Sequence, residues 1–157
     1  MLLENIKKDF NQYQTQAEQG EFLNLRKQAF AEFEKLGFPT TKHEEWKYTN
    51  LKSITEKTFE STCEINPTID EMFRNAIESK LTANFLVFVN GSLVNQLSII
   101  IEKDSSIVIS SIAAASKSQQ TVFNHHFGKY AKIEGEAMNA LNTALLSDGA
   151  FVYVPKG

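Results

Sequence analysis

Three histidines and one cysteine are the side chains of this chain best suited to metal or nucleophilic chemistry: His43, His125, His126 and Cys63. Adjacent histidines point about 100° apart on a helix, so His125 and His126 do not share one face as an i, i+4 metal-binding pair would. Cys63 lies in a polar stretch with no base announced beside it, which favours an inert thiol over a nucleophile. The types and spacing of these residues therefore predict no metal-binding and no catalytic residues.

Neighbouring carboxylates offer little more chemistry. Glu44-Glu45 and Asp70-Glu71 each lie at a predicted helix start, where the helix dipole favours an acidic side chain, and this explains them better than an acid/base pair does. The glycines are isolated, and neither GxGxxG nor GxxxxGK[ST] occurs, so no phosphate-binding loop and no nucleotide cofactor is predicted. We expect a protein that is not an enzyme; catalysis through His125, His126 or Cys63 is the least favoured class.

Two large aromatic side chains follow a run of charges in PTTKHEEWKYTNL, the most unusual segment of the chain. Trp46, the only tryptophan, and Tyr48 predict a loop held by large side chains. They would either anchor the loop on its own domain or form a patch for a partner. Thr41 and Glu44 have the spacing of a capping box, which predicts a short helical turn from Lys42.

Apolar residues at gaps of three and four predict that residues 1–81 form an N-terminal helical region. Two helices would form a hairpin, and a third fits NPTIDEMFRNAIESKL. At the end of the second helix, Gly37 suits the left-handed C′ position, and Phe38 could then touch Phe33. The apolar stripes of the first two helices are Leu3, Ile6, Phe10, Tyr13 and Ala17, and Phe22, Leu25, Ala29, Phe33 and Leu36.

Residues 82–157 are predicted to form a β-rich region that also holds a helix. Asn90-Gly91 between two apolar runs is a strong signal for a tight hairpin, and β-branched runs follow in IIIEKDSSIVISSI. A short helix is predicted from Thr121 to Phe127, and a longer one in EGEAMNALNTALLSDG. Helices, strands, a helix and a last strand make an α+β fold.

The last strand, in DGAFVYVPKG, is apolar on both faces, which is typical of a strand buried on two sides. Such a strand needs neighbours for its backbone hydrogen bonds and side chains, and no sequence follows to supply them. We expect residues 151–154 either to fold back onto the N-terminal hairpin or to pair with a second chain, which would make a homodimer of this fragment.

Composition excludes several classes of protein. A net charge of −3 without a basic stripe gives no footprint for nucleic acid. No run approaches the roughly 20 apolar residues of a membrane span, and the charged start MLLENIKKDF is unlike a signal peptide. A single cysteine allows no intrachain disulfide, which fits a reducing compartment. These features predict a cytoplasmic protein that does not bind a membrane.

Three stretches, in this order, resemble the SufB/SufD family of iron–sulfur cluster assembly proteins: GFPTTKHEEWKYTNL, FVNGSLVNQLS and ALNTALLSDGAFVYVPKG. The first is similar to SufD rather than SufB. The resemblance implies an N-terminal fragment whose closing strand begins a truncated right-handed parallel β-helix, since family members continue well past this point. It also implies SufB-like and SufC-like (ATPase) partners. Residues that handle clusters, iron or SufC lie in the missing part, so no site residue is carried over.

The favoured expectation is the N-terminal domain of a SufD-like subunit with a non-catalytic, structural or interaction role. The alternative is a free-standing α+β protein-binding module that uses Trp46 and Tyr48 as its docking face. The parent gene would encode a further run of short strands in the first case and a nearby stop codon in the second.

Overall fold

The computed structural model describes residues 2–16, 21–59 and 82–156. Its helices are α1 (Leu2–Gln16), α2 (Glu21–Leu36), α3 (Lys52–Thr55), α4 (Ile112–Ser118), α5 (Gln120–His126) and α6 (Ala137–Leu145), with a 3₁₀ turn at Glu44–Trp46. Its strands are β1 (Phe88–Val89), β2 (Ser92–Leu93), β3 (Val108–Ser111) and β4 (Ala150–Tyr153). The predicted third helix, Cys63 and the pair Asp70-Glu71 lie outside the described residues. Mixed helices and small sheets confirm the α+β class.

The chain divides into two compact units, each made of two separate segments. The first unit contains Met1–Thr62 and Thr121–Leu146, and the second contains Cys63–Gln120 and Ser147–Gly157. In this division, α6 and α5 from Thr121 onward belong with the N-terminal helices, and the regions 1–81 and 82–157 stay a prediction. Apolar periodicity finds a helix but does not reveal which distant helix it packs against.

An apolar core joins α1, α2 and α6 in the first unit. Phe10 stacks on Phe30 with ring centroids 4.0 Å apart, and Lys7 pairs with Glu34 at 3.1 Å, so α1 and α2 run antiparallel as predicted. Small side chains on α6 let that helix approach α2 closely. The buried members of this core are Leu2, Ile6, Phe10, Ala29, Phe30, Phe33, Ala140 and Ala144.

The C-terminal end of α2 confirms the predicted glycine cap. Gly37 has φ +68° and its N–H donates to the carbonyl oxygen of Phe33 at 2.7 Å. The Phe38 ring then meets the Phe33 ring edge-on, with centroids 5.1 Å apart. This reversal directs the chain from the helix into the segment that contains Trp46.

A buried arginine ties α2 to the last turn of α6. Arg26 is only 6% exposed, and its Nε donates to the carbonyl oxygen of Ala144 at 2.9 Å. The guanidinium also lies 5.8 Å from the centre of the Phe22 ring, where a cation is attracted to the π-face. A cation at a helix C-terminus complements the helix dipole.

A second aromatic group packs α5 against α2 in the same unit. Phe22 makes edge-on contacts with Phe123 at 5.8 Å and Phe127 at 5.1 Å, measured between ring centroids. Phe123 and Phe127 stack on each other at 4.5 Å. The predicted short helix is therefore present, and its apolar side is covered.

The second unit contains two small antiparallel sheets. β1 pairs with β2 through the predicted Asn90-Gly91 turn, in which both residues have positive φ, as a type I′ hairpin turn requires. β3 pairs with β4 from Val108↔Tyr153 to Ser111↔Ala150. Helix α4, which the sequence did not predict, starts directly after β3.

The backbone of β4 has a partner within its own unit, because β3 takes its hydrogen bonds along one edge. Pairing of this strand with a second chain stays a prediction. The strand is also not buried on both faces: Val152 is 61% and Val154 is 63% exposed. Two valines on one face indicate burial only when something covers that face.

Asp148 joins three parts of the second unit. One carboxylate oxygen accepts from the N–H groups of Ala113 at 3.2 Å and Gly149 at 2.9 Å, and the other accepts from Leu93 N–H at 3.4 Å. Ser111 adds a side-chain cap to Ala114 N–H at 3.0 Å. These bonds hold β2 and the start of α4 beside the turn that leads into β4.

Candidate functional site

Of the candidate reactive residues that the structure describes, His125 and His126 are neighbours, with ring centroids 4.7 Å apart. His125 and His126 lie exposed in the last turn of α5, with His126 Nδ1 2.5 Å from the hydroxyl oxygen of Tyr130. His43 lies in the segment PTTKHEEWKYTNL, and its Nδ1 accepts from Thr40 N–H at 3.0 Å. Among the described residues, no group of three or more His, Cys, Asp or Glu side chains could hold a metal ion.

The turn around Trp46 forms differently from the prediction. The 3₁₀ turn starts at Glu44, two residues later than expected, and Thr41 provides no cap. The imidazole of His43 instead closes the preceding turn onto Thr40. The capping-box prediction was therefore wrong about both the start of the turn and its cap.

The two aromatic residues of this segment have different surroundings. Trp46 is half-buried, whereas Tyr48 is 92% exposed and has Lys47 Nζ 5.6 Å from its ring centre. The prediction that large side chains anchor the loop therefore holds for Trp46 and is wrong for Tyr48.

Trp46 lines a cavity of about 300 Å³ within the first unit, which we call the Trp46 groove. One wall is the end of α2, the second is the turn at residues 43–46, and the third is the start of α6 at residues 135–138. Leu36, Pro39, Ala137 and Met138 supply apolar surface beside the indole. Glu44, Glu45 and Glu136 supply carboxylates.

Glu32 holds the third wall of the groove against α2. Its Oε1 accepts from Gly135 N–H at 3.1 Å, and Lys35 Nζ lies 3.3 Å from Oε2. The N–H of Gly135 lowers the pKa of Glu32 below its ordinary value; partial loss of solvent opposes this and Lys35 adds to it. Gly135 has φ +76°, which suits the sharp turn before α6.

A second cavity, of about 270 Å³, lies between α2 and α5 in the same unit. Phe22, Leu25, Phe123 and Phe127 provide its apolar surface, and Asn24, Gln28, Asn124 and Lys129 provide amides and one ammonium. No carboxylate and no imidazole occurs among the described residues that line it. The Trp46 groove is therefore the more distinctive of the two.

Sequence reasoning found one half of this groove and missed the other. The unusual composition of residues 39–51 pointed to Trp46, Glu44 and Glu45. Glu136 and Met138 lie about 90 residues further along, and nothing in their spacing links them to Trp46. Only the packing of α6 on α2 brings the two halves together.

Comparison with protein families adds one finding. The model of the family described as SufBD protein N-terminal region matches residues 5–157. The chain belongs to this family. Membership associates it with the Suf system of iron–sulfur cluster assembly. Searches of curated proteins and of solved structures returned no match.

A membrane-spanning helix has to be both long and apolar. Within residues 2–16, 21–59 and 82–156, no helix is both long enough and apolar enough to cross a bilayer.

Proposed function

We propose that this chain is the N-terminal region of a SufD-like subunit that works with SufB-like and SufC-like proteins in iron–sulfur cluster assembly. The observation that carries the proposal is the family match over residues 5–157. Its role there is structural or interactive and not catalytic, and its compartment is the cytoplasm.

The choice of SufD over SufB rests on the segment Gly37 to Leu51. Its glycine cap, proline and WKYT motif resemble the start of SufD proteins. In the fold, Gly37 ends α2 and Trp46 lies in a groove, so the segment forms a defined surface and is not a simple linker. A defined surface supports a role in contacting other proteins.

The non-catalytic part of the proposal rests on the residue inventory. The histidines and the lone cysteine lack the spacing of a ligand set or of a nucleophile with its base. Two carboxylates with described partners, Glu32 and Asp148, bind backbone N–H groups of their own unit. Such residues stabilise a shape that partners can recognise.

Because the matched family is an N-terminal region, the proposal predicts that the reading frame continues past codon 157 into a run of short strands. On this proposal, β4 leads into the right-handed parallel β-helix of the SufB/SufD family.

Affinity purification of the full-length protein from its own cells tests the partners. We expect SufB-like and SufC-like proteins to co-purify with it at fixed stoichiometry. The role of this region is tested by deleting residues 1–130 from the full-length protein. Cluster formation by the deleted and the intact protein is then compared by absorbance. Unchanged cluster assembly after the deletion would contradict a role for this region, and the absence of both partners would contradict the Suf assignment.

The Trp46 groove favours one alternative, a free-standing α+β protein-binding module. That alternative predicts a stop codon close to codon 157 and a compact monomer that binds its target without SufB-like or SufC-like proteins. Reading the gene beyond codon 157 separates the two functions directly.

A further inference from the structure

We propose that the Trp46 groove receives an arginine side chain from a basic segment of a partner protein. The inference goes beyond the Suf assignment and does not depend on it, because it uses only the shape and charge of the groove. Three properties of the groove lead to it, namely its charge, its apolar surface and its size.

The charge of the groove is negative. Glu44, Glu45 and Glu136 line it, and no Lys or Arg occurs among the described residues of its walls. One described cation, Lys47, reaches a lining carboxylate, with its Nζ 3.9 Å from Glu44 Oε1 in an exposed pair. An exposed pair of this length is weak, so a better-placed cation can replace it.

The apolar surface of the groove suits a long side chain that ends in a cation. Trp46 offers the π-face that binds cations best, and Leu36, Met138 and Pro39 offer contact for a methylene stem. Arginine fits this combination better than lysine, because a planar guanidinium stacks on an aromatic ring while its N–H groups bind carboxylates.

The size of the groove sets the kind of occupant. A volume of about 300 Å³ is at the lower end of the range for small-molecule pockets, roughly 300–1,000 Å³. It accommodates one or two side chains of a protein segment and not a large cofactor.

Trp46 provides the signal for the test because it is the only tryptophan of the chain. The probe is a blocked hexapeptide with two arginines in a glycine–alanine background, titrated into the full 157-residue chain. The comparison peptide carries citrulline, which has the same shape without the charge. We expect saturable change in Trp46 emission with the arginine peptide only, and weaker binding at high salt.

Variants of the carboxylates test the site itself. Each of Glu44→Gln, Glu45→Gln and Glu136→Gln is expected to weaken binding about two- to fivefold, and the triple variant about tenfold or more. The matched control is Glu134→Gln. Glu134 is exposed, lies two residues before Glu136 and does not line the groove. Circular dichroism confirms that each variant is folded.

The outcomes that would overturn the proposal are distinct. Equal binding of the citrulline peptide would show that charge is not recognised, and an unchanged affinity in the triple variant would place binding elsewhere. Emission that depends on protein concentration without peptide would assign the groove to a second copy of this chain. No response in a folded protein at millimolar peptide would exclude an arginine site.

Discussion

The two units of this molecule are stabilised in different ways. In the first unit, apolar side chains from α1, α2 and α6 fill a continuous core, with Phe33 fully buried at its centre. In the second unit, Val94 and Ala115 are the buried apolar residues that the structure describes, and polar side chains bind backbone groups across the fold. Among the described residues, buried volume is therefore the main contribution in the first unit, whereas individual hydrogen-bond acceptors are the main contribution in the second.

The largest expected effect comes from removing volume in the first unit. Phe33→Ala should lower the free energy of unfolding by about 3–5 kcal/mol, because it leaves a cavity between α2 and its neighbours. Urea denaturation followed by Trp46 fluorescence measures it, since Trp46 belongs to the same unit.

The matched control for that change is Leu36→Ala on the same helix. Leu36 is 36% exposed, so Leu36→Ala should lower the free energy of unfolding by less than about 1 kcal/mol. Equal losses for the two variants would contradict the view that the first unit depends on a tightly packed core.

A smaller effect is expected from removing one acceptor in the second unit. Asp148→Ala should lower the free energy of unfolding by about 2 kcal/mol, because three backbone N–H groups lose their charged partner. Amide hydrogen exchange at Leu93, Ala113 and Gly149 measures this locally and should accelerate.

Asp148→Asn sharpens that result, since it keeps one carbonyl oxygen and should retain part of the stability. If Asp148→Ala left exchange at these amides unchanged, the acceptor would not be what holds the second unit. If it shifted the Trp46 transition as much as Phe33→Ala does, the two units would have to unfold as one.

The smallest effect concerns a polar contact within the first unit, that of Glu32 with Gly135. Because the folded-state pKa of Glu32 is lowered, its contribution to stability is present above its unfolded-state pKa and is lost as pH falls through the folded-state value. Glu32→Gln should therefore be less stable than the wild type at neutral pH and equal to it in strong acid.

Chemical denaturation at a series of pH values checks this prediction. Trp46 emission should also report loosening of the groove wall at Gly135 when Glu32 is protonated. A stability difference that persists unchanged into acid would mean that the Glu32 charge does not contribute.

The sequence predicted the parts of the fold that depend on local periodicity. Ile6 and Phe10 on α1, and Ala29 and Phe33 on α2, are four residues apart, as one face of a helix requires. Gly37 and Asn90-Gly91 adopt positive φ, which their residue types favour. The helix cap, the hairpin turn and the helix pairing therefore follow from the sequence alone.

The sequence could not predict the parts that depend on distant partners. The acceptor role of Asp148 involves amides 35 and 55 residues away, and no residue pattern encodes it. The same holds for β4, whose valines indicated two-sided burial although β3 covers only one edge. Half of the Trp46 groove was missed for this reason too, because Glu136 reaches Trp46 only through the packing of α6.

The contact of Arg26 with Ala144 spans 118 residues of chain and has a consequence for the order of folding. During synthesis, α1 and α2 emerge long before α6, so their shared apolar side must wait for a helix that is made after the intervening second-unit segment. Contacts of such long range are slow to form. A chain interrupted before Leu145 would present Phe33 and its neighbours to chaperones, and completing α6 is the step that ends this exposure.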